Sequence, residues 1–546
     1  MPNSIIPTTL SSNIYDSLLY GYHWRNPLIE YSFVDKEESV FSGDYLTNQA
    51  TEALTENRKN FSNTQKEAIR DALGGWAEIG NIKFTEVEDD ELSAGVLRFG
   101  LSSGVNDFVG ASSAFAFFPS DYSSGGDIWL NSKTVDVMEG KDNGTFSVSS
   151  YQKTSFVYSI ILHEIGHAIG LKHPFEVTGR NFVTANDEDD LIYKTIMSYT
   201  LSSNSDVVGL TAYPTTPMYM DVQAIEHLYG FNTETTDNNS YFFDDSRFYF
   251  ETIFDIGGVD TIQYAGALPL EVSLEPLSGS FIGKRVSGYS VDKQEVVFLK
   301  NLYLGKDVLI ENVYGGSGND VIKGNQVANY IVGGRGNDSL YGLEGNDVIQ
   351  GGEGYDKVFG GGGSDTYIFD SSDSFSISRV GINSFSVRCF GQEGVDSLED
   401  IERICVGDFG SPTQIIGLDI EQGQHSGSVF RLYQAAFDRK PQGFEVGYHV
   451  NDIESNGASL SVLANNFLAA PEFQSTYGKN LTDEAFINAL YKNVLSRVPE
   501  EFEVNFYLDQ YKNFGVERAT TLINFSESPE NINMVFEDIK YGIDLM

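Results

Sequence analysis

Polar and apolar positions change rhythm several times along the chain. Leu28-Ile29-Glu30-Tyr31-Ser32-Phe33 alternates with the two-residue period of a half-buried strand. Ala68, Ile69, Ala72, Leu73 and Trp76 then recur at helical spacing behind Ser62-Asn63-Thr64-Gln65, whose outer residues suit a capping box. Residues 82–87 and 96–99 return to strand rhythm, and Gly125-Gly126-Asp127-Ile128-Trp129-Leu130-Asn131 predicts a turn entering another strand. Residues 221–229 predict a helix stopped by Gly230. From Gly315 the chain shifts to glycine-rich turns separated by apolar pairs such as Val321/Ile322 and Val348/Ile349. Residues 371–425 are less regular, with one alternating strand at 385–390, and from 426 the pattern is helical.

A chain of 546 residues is too long for one core. The pattern changes predict a multidomain protein: an α+β domain over 1–235, a parallel β-roll over 236–370, a β-rich cap or linker over 371–425, and an all-α domain over 426–546. Charge is lopsided, with 35 basic and 78 acidic residues and a net −43. That balance argues against nucleic acid or an anionic membrane as partner and favours a chain that needs cations to become compact. A well-solvated acidic surface accounts for part of it. Two cysteines, Cys389 and Cys405, belong to no metal motif, and pairing or buried thiols are equally open. The first ten residues lack a basic region and a long apolar run, so they do not form an ordinary secretory signal, and no eighteen-residue apolar stretch spans a membrane.

Chemistry concentrates in Leu162-His163-Glu164-Ile165-Gly166-His167-Ala168-Ile169-Gly170-Leu171-Lys172-His173-Pro174. On a helix, His163 and His167 share one face, where one cation takes both imidazoles. Glu164 sits beside the first, placed to hold a water. Gly170 permits a left-handed turn that would return His173 as a third ligand. Three neutral nitrogens favour one zinc ion and leave a fourth position open for water, as a catalytic site requires. The bland alternative is an amphipathic core helix with incidental histidines. Yet the chain has only seven histidines, and three fall here.

This stretch resembles the metzincin zinc-protease signature. Thr195-Ile196-Met197-Ser198-Tyr199 resembles the methionine turn that lies below the metal in that family, with Met197 as its methionine. Met-Ser-Tyr and His173-Pro174 resemble the serralysin branch, and the likeness extends over roughly residues 15–235. It implies a secreted zinc endopeptidase acting on proteins or peptides, with Glu164 as general base and Tyr199 helping to stabilise the transition state. It also implies that residues 125–131 form the edge strand that pairs with an extended substrate. The acidic run Asn186–Asp190 is expected to be a solvated loop, with a calcium role open. His227 is expected to be structural.

The segment from Gly315 repeats every nine residues, with restarts at Gly324, Gly333, Gly342, Gly351 and Gly360. Asp320, Asp338, Asp347, Asp356 and Asp365 take the sixth place, and Asn329 breaks the series. Glycine turns expose carbonyls and each aspartate adds a hard oxygen, which together suit several structural calcium ions. A flexible glycine linker would not keep both the period and the aspartate register. This is the repeats-in-toxin pattern. The expected ligands are Gly316, Gly318 and Asp320; Gly334, Gly336 and Asp338; Gly345 and Asp347; Gly352, Gly354 and Asp356; and Asp365, with a weaker or missing site at Asn329. Asp255, Gly257 and Asp260 resemble the calcium-binding turn where serralysins leave the protease domain. Low calcium would keep the roll loose, and calcium outside the cell would fold it.

Leu432-Tyr433, Arg439, Pro441 and Phe444-Glu445-Val446 recur 58 residues later as Leu490-Tyr491, Arg497, Pro499 and Phe502-Glu503-Val504. Phe467 and Pro471-Glu472 recur at Phe525 and Pro529-Glu530. This helical duplication resembles a domain of unknown function of bacterial extracellular and surface-layer proteins. It is either a packed helical pair or an attachment module for a surface or glycan partner. A calcium-dependent surface-binding protein with secondary proteolysis is therefore the competing reading. Serralysins leave Gram-negative cells through a one-step exporter that reads a C-terminal signal. The ending Tyr541-Gly542-Ile543-Asp544-Leu545-Met546 resembles it loosely, with two apolar residues after Asp544 rather than three.

Overall fold

A computed structural model describes residues 4–35, 37–45, 49–110, 112–134, 153–201, 207–232, 237–369, 375–389 and 394–546. They form two compact units, Met1–Ile310 and Glu311–Met546.

In the first unit, a twisted sheet runs in the order Lys83–Glu86, Leu28–Phe33, Leu97–Ser102, Ile128–Asn131 and Ala114–Ala116. Its neighbours are parallel until the last pair, which is antiparallel. The edge beside Ile128–Asn131 is therefore Ala114–Ala116, with Lys83–Glu86 at the opposite edge. This corrects the expectation that residues 125–131 would form the edge. Ile128–Asn131 is buried along its whole length, with Trp129 fully covered, and bonds on both sides. Helix Asn63–Glu78 begins at the expected capping box: Ser62 Oγ accepts from Gln65 N and the Gln65 side chain accepts from Ser62 N. Its apolar stripe joins Ile161, Leu162 and Ile165 of helix Phe156–Ile169 in one core, and Trp76 Nε1 donates to Leu162 O. Helix Tyr219–Tyr229 closes that core from its other end.

The amino-terminal arm belongs to this body. Strand Ile5–Pro7 pairs antiparallel with Tyr22–Trp24, and His227 Nε2 contacts Thr9 O at 2.6 Å. Residues 237–310 add short strands, among them Ser240–Phe243 parallel to Thr261–Tyr264 and a hairpin of Val286–Ser290 with Glu295–Leu299.

The second unit opens with a two-sheet β-roll. Tyr330 pairs with Val348 and Val348 with Thr366 in one sheet; Val321 pairs with Ser339 and Ser339 with Lys357 in the other. Each parallel step is eighteen residues, two nonapeptides per turn of the coil. Ile322, Ile331, Leu340, Ile349 and Val358 are fully buried, one per nonapeptide, and form the interior. Asp396–Glu399 and Arg403–Val406 continue the two sheets in parallel, and antiparallel strands then end them. Cys405 is a buried free thiol, while the Cys389 side chain lies outside the described residues.

Eight helices follow. His425–Phe437, Gly443–Asn456, Leu460–Ala469 and Pro471–Tyr477 are matched 58 residues later by Asp483–Asn493, Glu501–Phe514, Arg518–Ser526 and Pro529–Ile539. The duplication extends to an ion-pair motif. Arg439 bridges Glu445 and Glu472, and Arg497 bridges Glu503 and Glu530. The final strand Ile543–Asp544 pairs antiparallel with Gln414–Gly417.

Candidate active site and calcium ladder

Helix Phe156–Ile169 presents His163 and His167 one turn apart on one face. Gly170 caps it at φ 117°, a conformation that costs a side chain dearly, and the chain reverses. That turn returns His173: its Nε2 stands 3.1 Å from Nε2 of His163 and 3.1 Å from Nε2 of His167. Each ring's other nitrogen faces an oxygen. His163 Nδ1 donates to Ile196 O, His167 Nδ1 to Leu171 O and His173 Nδ1 to Glu176 Oε2. Those bonds set the tautomers, so three Nε2 lone pairs converge. Burial keeps the rings neutral, pushing His163 down to about 3, His173 to about 4 and His167 well below its usual value. Converging neutral acceptors without a donor among them suit a zinc ion, so the residues fit the metal.

Glu164 is 7% exposed, and its Oε2 has no hydrogen-bond partner. Burial raises its carboxyl to about 8. The Tyr199 hydroxyl donates to His173 Nε2 at 2.7 Å, and its partial desolvation at the cleft, with Glu164 and Glu176 adding to it, raises it to about 12. His163, Glu164 and Tyr199 line a cleft of about 450 Å³ whose wall includes Ser112, Ser113 and Ala114 at the start of the edge strand.

Several supports were not legible in the motif. Gly166, inside the helix, faces Met197: an added Cβ would lie 2.5 Å from its sulfur, so the methionine turn packs directly under the ligands. Asp221 is fully buried and accepts from Thr195 Oγ1 at 2.6 Å, Ile196 N at 2.8 Å and Met218 N at 2.8 Å. It thereby holds the carbonyl of Ile196 that orients His163. Lys172, also fully buried, donates Nζ to the carbonyls of Glu176 at 2.6 Å and Val183 at 3.0 Å, tying down the loop after His173. The acidic run is more than a solvated loop, because Asp190 accepts from Ser198 Oγ at 2.6 Å and braces the methionine turn.

In the roll, the aspartates form ladders. Asp338 Oδ1 accepts from Asp320 N, Asp347 Oδ1 from Asn329 N, Asp356 Oδ1 from Asp338 N and Asp365 Oδ1 from Asp347 N, at 2.7–2.9 Å. The second oxygen, Oδ2, of Asp338, Asp347, Asp356 and Asp365 is buried with no partner. Four bare oxygens in glycine cradles fit calcium. At Gly336 and Gly354 a Cβ would lie 1.8 Å from a carbonyl of the neighbouring coil, so only glycine fits there. Asp320 differs, since Gly316 N donates to its Oδ2. Asn329 turns its amide inward, donating to Glu311 O and Asn325 Oδ1. The Asp255 and Asp260 carboxylates are engaged by protein donors: Tyr241 and Asn239 on Asp255, and Asn239 N on Asp260.

Fold and site together define a zinc metallopeptidase of the metzincin class with an RTX calcium roll. Residues 44–184 match the matrixin family, 310–340 and 341–373 the RTX calcium-binding nonapeptide repeat, and 464–535 a domain of unknown function, DUF4214. Serralysin of Proteus mirabilis is 30% identical over 365 residues, 59% of this chain and 71% of that protein. The chain belongs to the serralysin family. Serralysin of Photorhabdus luminescens is 30% identical over 292 residues and serralysin C of Dickeya chrysanthemi 32% over 281. Those matches cover 54% and 53% of the relatives, so the chain spans about half their length.

Proposed function

We propose that the protein is a secreted, calcium-stabilised zinc endopeptidase that binds an extended protein or peptide along the edge strand Ala114–Ala116. The convergence of three Nε2 lone pairs beside a bare Glu164 oxygen supports this reading most directly. His163, His167 and His173 would hold the zinc. When bound, zinc supplies a Lewis acid that polarises the scissile carbonyl and lowers the pKa of water. Glu164 takes the proton of the attacking water on its carboxylate and passes it to the leaving amine nitrogen. Tyr199 donates its hydroxyl to the developing oxyanion. Asp338, Asp347, Asp356 and Asp365 would hold calcium through Oδ2.

Casein hydrolysis by the purified protein in calcium tests this. Activity should vanish with a zinc-selective chelator and return with added zinc. Glu164→Ala should lower turnover by about 10²–10⁴-fold with zinc still bound; full turnover in that variant would refute the assignment.

Export by a one-step exporter reading the C-terminal end completes the proposal. Among the described residues, no helix is long and apolar enough to cross a membrane. The helical module favours a second role in surface attachment. Both repeats expose an aromatic pair one turn apart, Phe444 with Tyr448 and Phe502 with Phe506, each residue more than half exposed. Replacing all four with serine should abolish binding to the producing cell's surface and spare casein hydrolysis; undiminished binding would remove the attachment role.

A further inference from the structure

We propose that Asp419, His425 and Glu454 form a second transition-metal site, which fastens the helical module to the end of the roll. Asp419 follows strand Gln414–Gly417, His425 is the first residue of helix His425–Phe437, and Glu454 lies in the last turn of helix Gly443–Asn456. One donor atom from each lies within 4.8 Å of the others. His425 Nδ1 and Glu454 Oε1 are 3.2 Å apart. A four-coordinate ion with bonds of about 2.0–2.2 Å spaces its donors by about 3.4 Å, so that pair already has ligand spacing.

The third donor is independently marked. Asp419 is 5% exposed; its Oδ2 accepts from Ser426 N at 2.9 Å, but its Oδ1 is buried and has no hydrogen-bond partner. A bare buried carboxylate oxygen is costly unless something binds it. Arg403 holds the other oxygen of Glu454, Oε2, and donates to Ser364 Oγ at 2.9 Å. That fixes the carboxylate and leaves Oε1 facing His425.

One imidazole and two carboxylates suit a zinc-like divalent ion, whereas calcium takes oxygen ligands alone. The helical duplication supplies an internal control. The positions 58 residues on are Tyr477, Asp483 and Lys512, a set with a single carboxylate and no imidazole. The cluster is therefore not part of the scaffold the two repeats share. It is confined to the copy that follows the roll.

The test counts metal in the full-length protein. Wild type, His425→Gln and Glu454→Gln are saturated with zinc in millimolar calcium, desalted, and analysed for zinc per chain. Wild type should carry one zinc more than either variant, whatever the first site holds. His425 is exposed at a helix start, so its glutamine variant keeps the fold, checked by circular dichroism. Zinc should also slow hydrogen exchange in residues 425–456 of wild type and not of the variants. Equal zinc counts in all three proteins, or equal protection by zinc, would overturn the site and leave an Arg403–Glu454–His425 ion-pair network.

Discussion

The zinc centre and the calcium ladder both gather acceptors with nothing between them, yet the two are built differently. Around the three histidines, a large apolar core already closes: helix Phe156–Ile169 is buried along nearly its whole length, with Trp76 and Met197 packed against it. The three imidazoles are neutral, so leaving them without a cation carries no charge into the interior. In the ladder, each nonapeptide contributes one buried aliphatic residue and, except at Asn329, one buried carboxylate, and burial opposes the charge. On the proposed function, the metal of the first region would serve chemistry on a scaffold that stands without it. The ions of the second would be part of the scaffold.

The sharpest way to break that comparison is to remove each metal separately. A zinc-selective chelator in millimolar calcium should abolish hydrolysis and leave the far-ultraviolet circular dichroism unchanged. A calcium-selective chelator should unfold the roll, seen as lost hydrogen-exchange protection across residues 330–365. Equal protection with and without calcium would show that the roll's thin core is sufficient by itself.

The zinc region is further sharpened at Asp221, which touches no ligand. Asp221→Ala leaves Thr195 Oγ1 and the amides of Ile196 and Met218 without their shared acceptor. His163 then loses the carbonyl that fixes its tautomer. Zinc affinity should fall by about 10–100-fold, the usual cost of removing an outer-shell partner, measured by competition with a chromogenic chelator. An unchanged affinity would mean that the helix alone positions the ligands.

A smaller effect concerns pH in the calcium-free state. Burial raises Asp338 and Asp347 from 3.8 to about 7, and Asp356 and Asp365 to about 6. Between those limits the folded roll binds more protons than the unfolded chain, so stability must fall as pH rises. The contribution is whole below pH 3.8 and is lost as pH climbs through 6–7. Without calcium, the protection factors of residues 330–365, taken against the intrinsic exchange rate at each pH, should be higher at pH 5 than at pH 7.5. The reverse order would show that carboxylate burial does not oppose folding.

The same contrast explains what the chain reveals unaided. The three histidines lie within one helix and its turn, so local geometry suffices to bring them together, and the roll announces itself by its period. Ala114–Ala116 is different: an edge strand is defined by what fails to pair with it, which the three residues Ala114-Phe115-Ala116 do not encode. Asp221, Asp190 and Lys172 carry no local signal either, because their partners are chosen by packing between segments that are separate in sequence. The helical duplication was visible as an offset of 58. That Arg439 and Arg497 each clasp two glutamates required the helices to be placed.

Asn329 permits the finest comparison, because it is a break within an otherwise regular ladder. Its amide supplies the two donors, to Glu311 O and Asn325 Oδ1, that let this rung close without an ion. Asn329→Asp would replace those donors with acceptors and turn a self-satisfied rung into one that needs a cation. Without calcium, the variant should melt a few degrees lower, since about 1 kcal/mol shifts a midpoint by about 2–8 °C depending on domain size. In millimolar calcium the difference should shrink or reverse, as the new carboxylate gains the ligand its neighbours use. A loss of stability that calcium does not repair would mean that the cradle around Asn329 is shaped for the amide, and that only the aspartate rungs were built to hold ions.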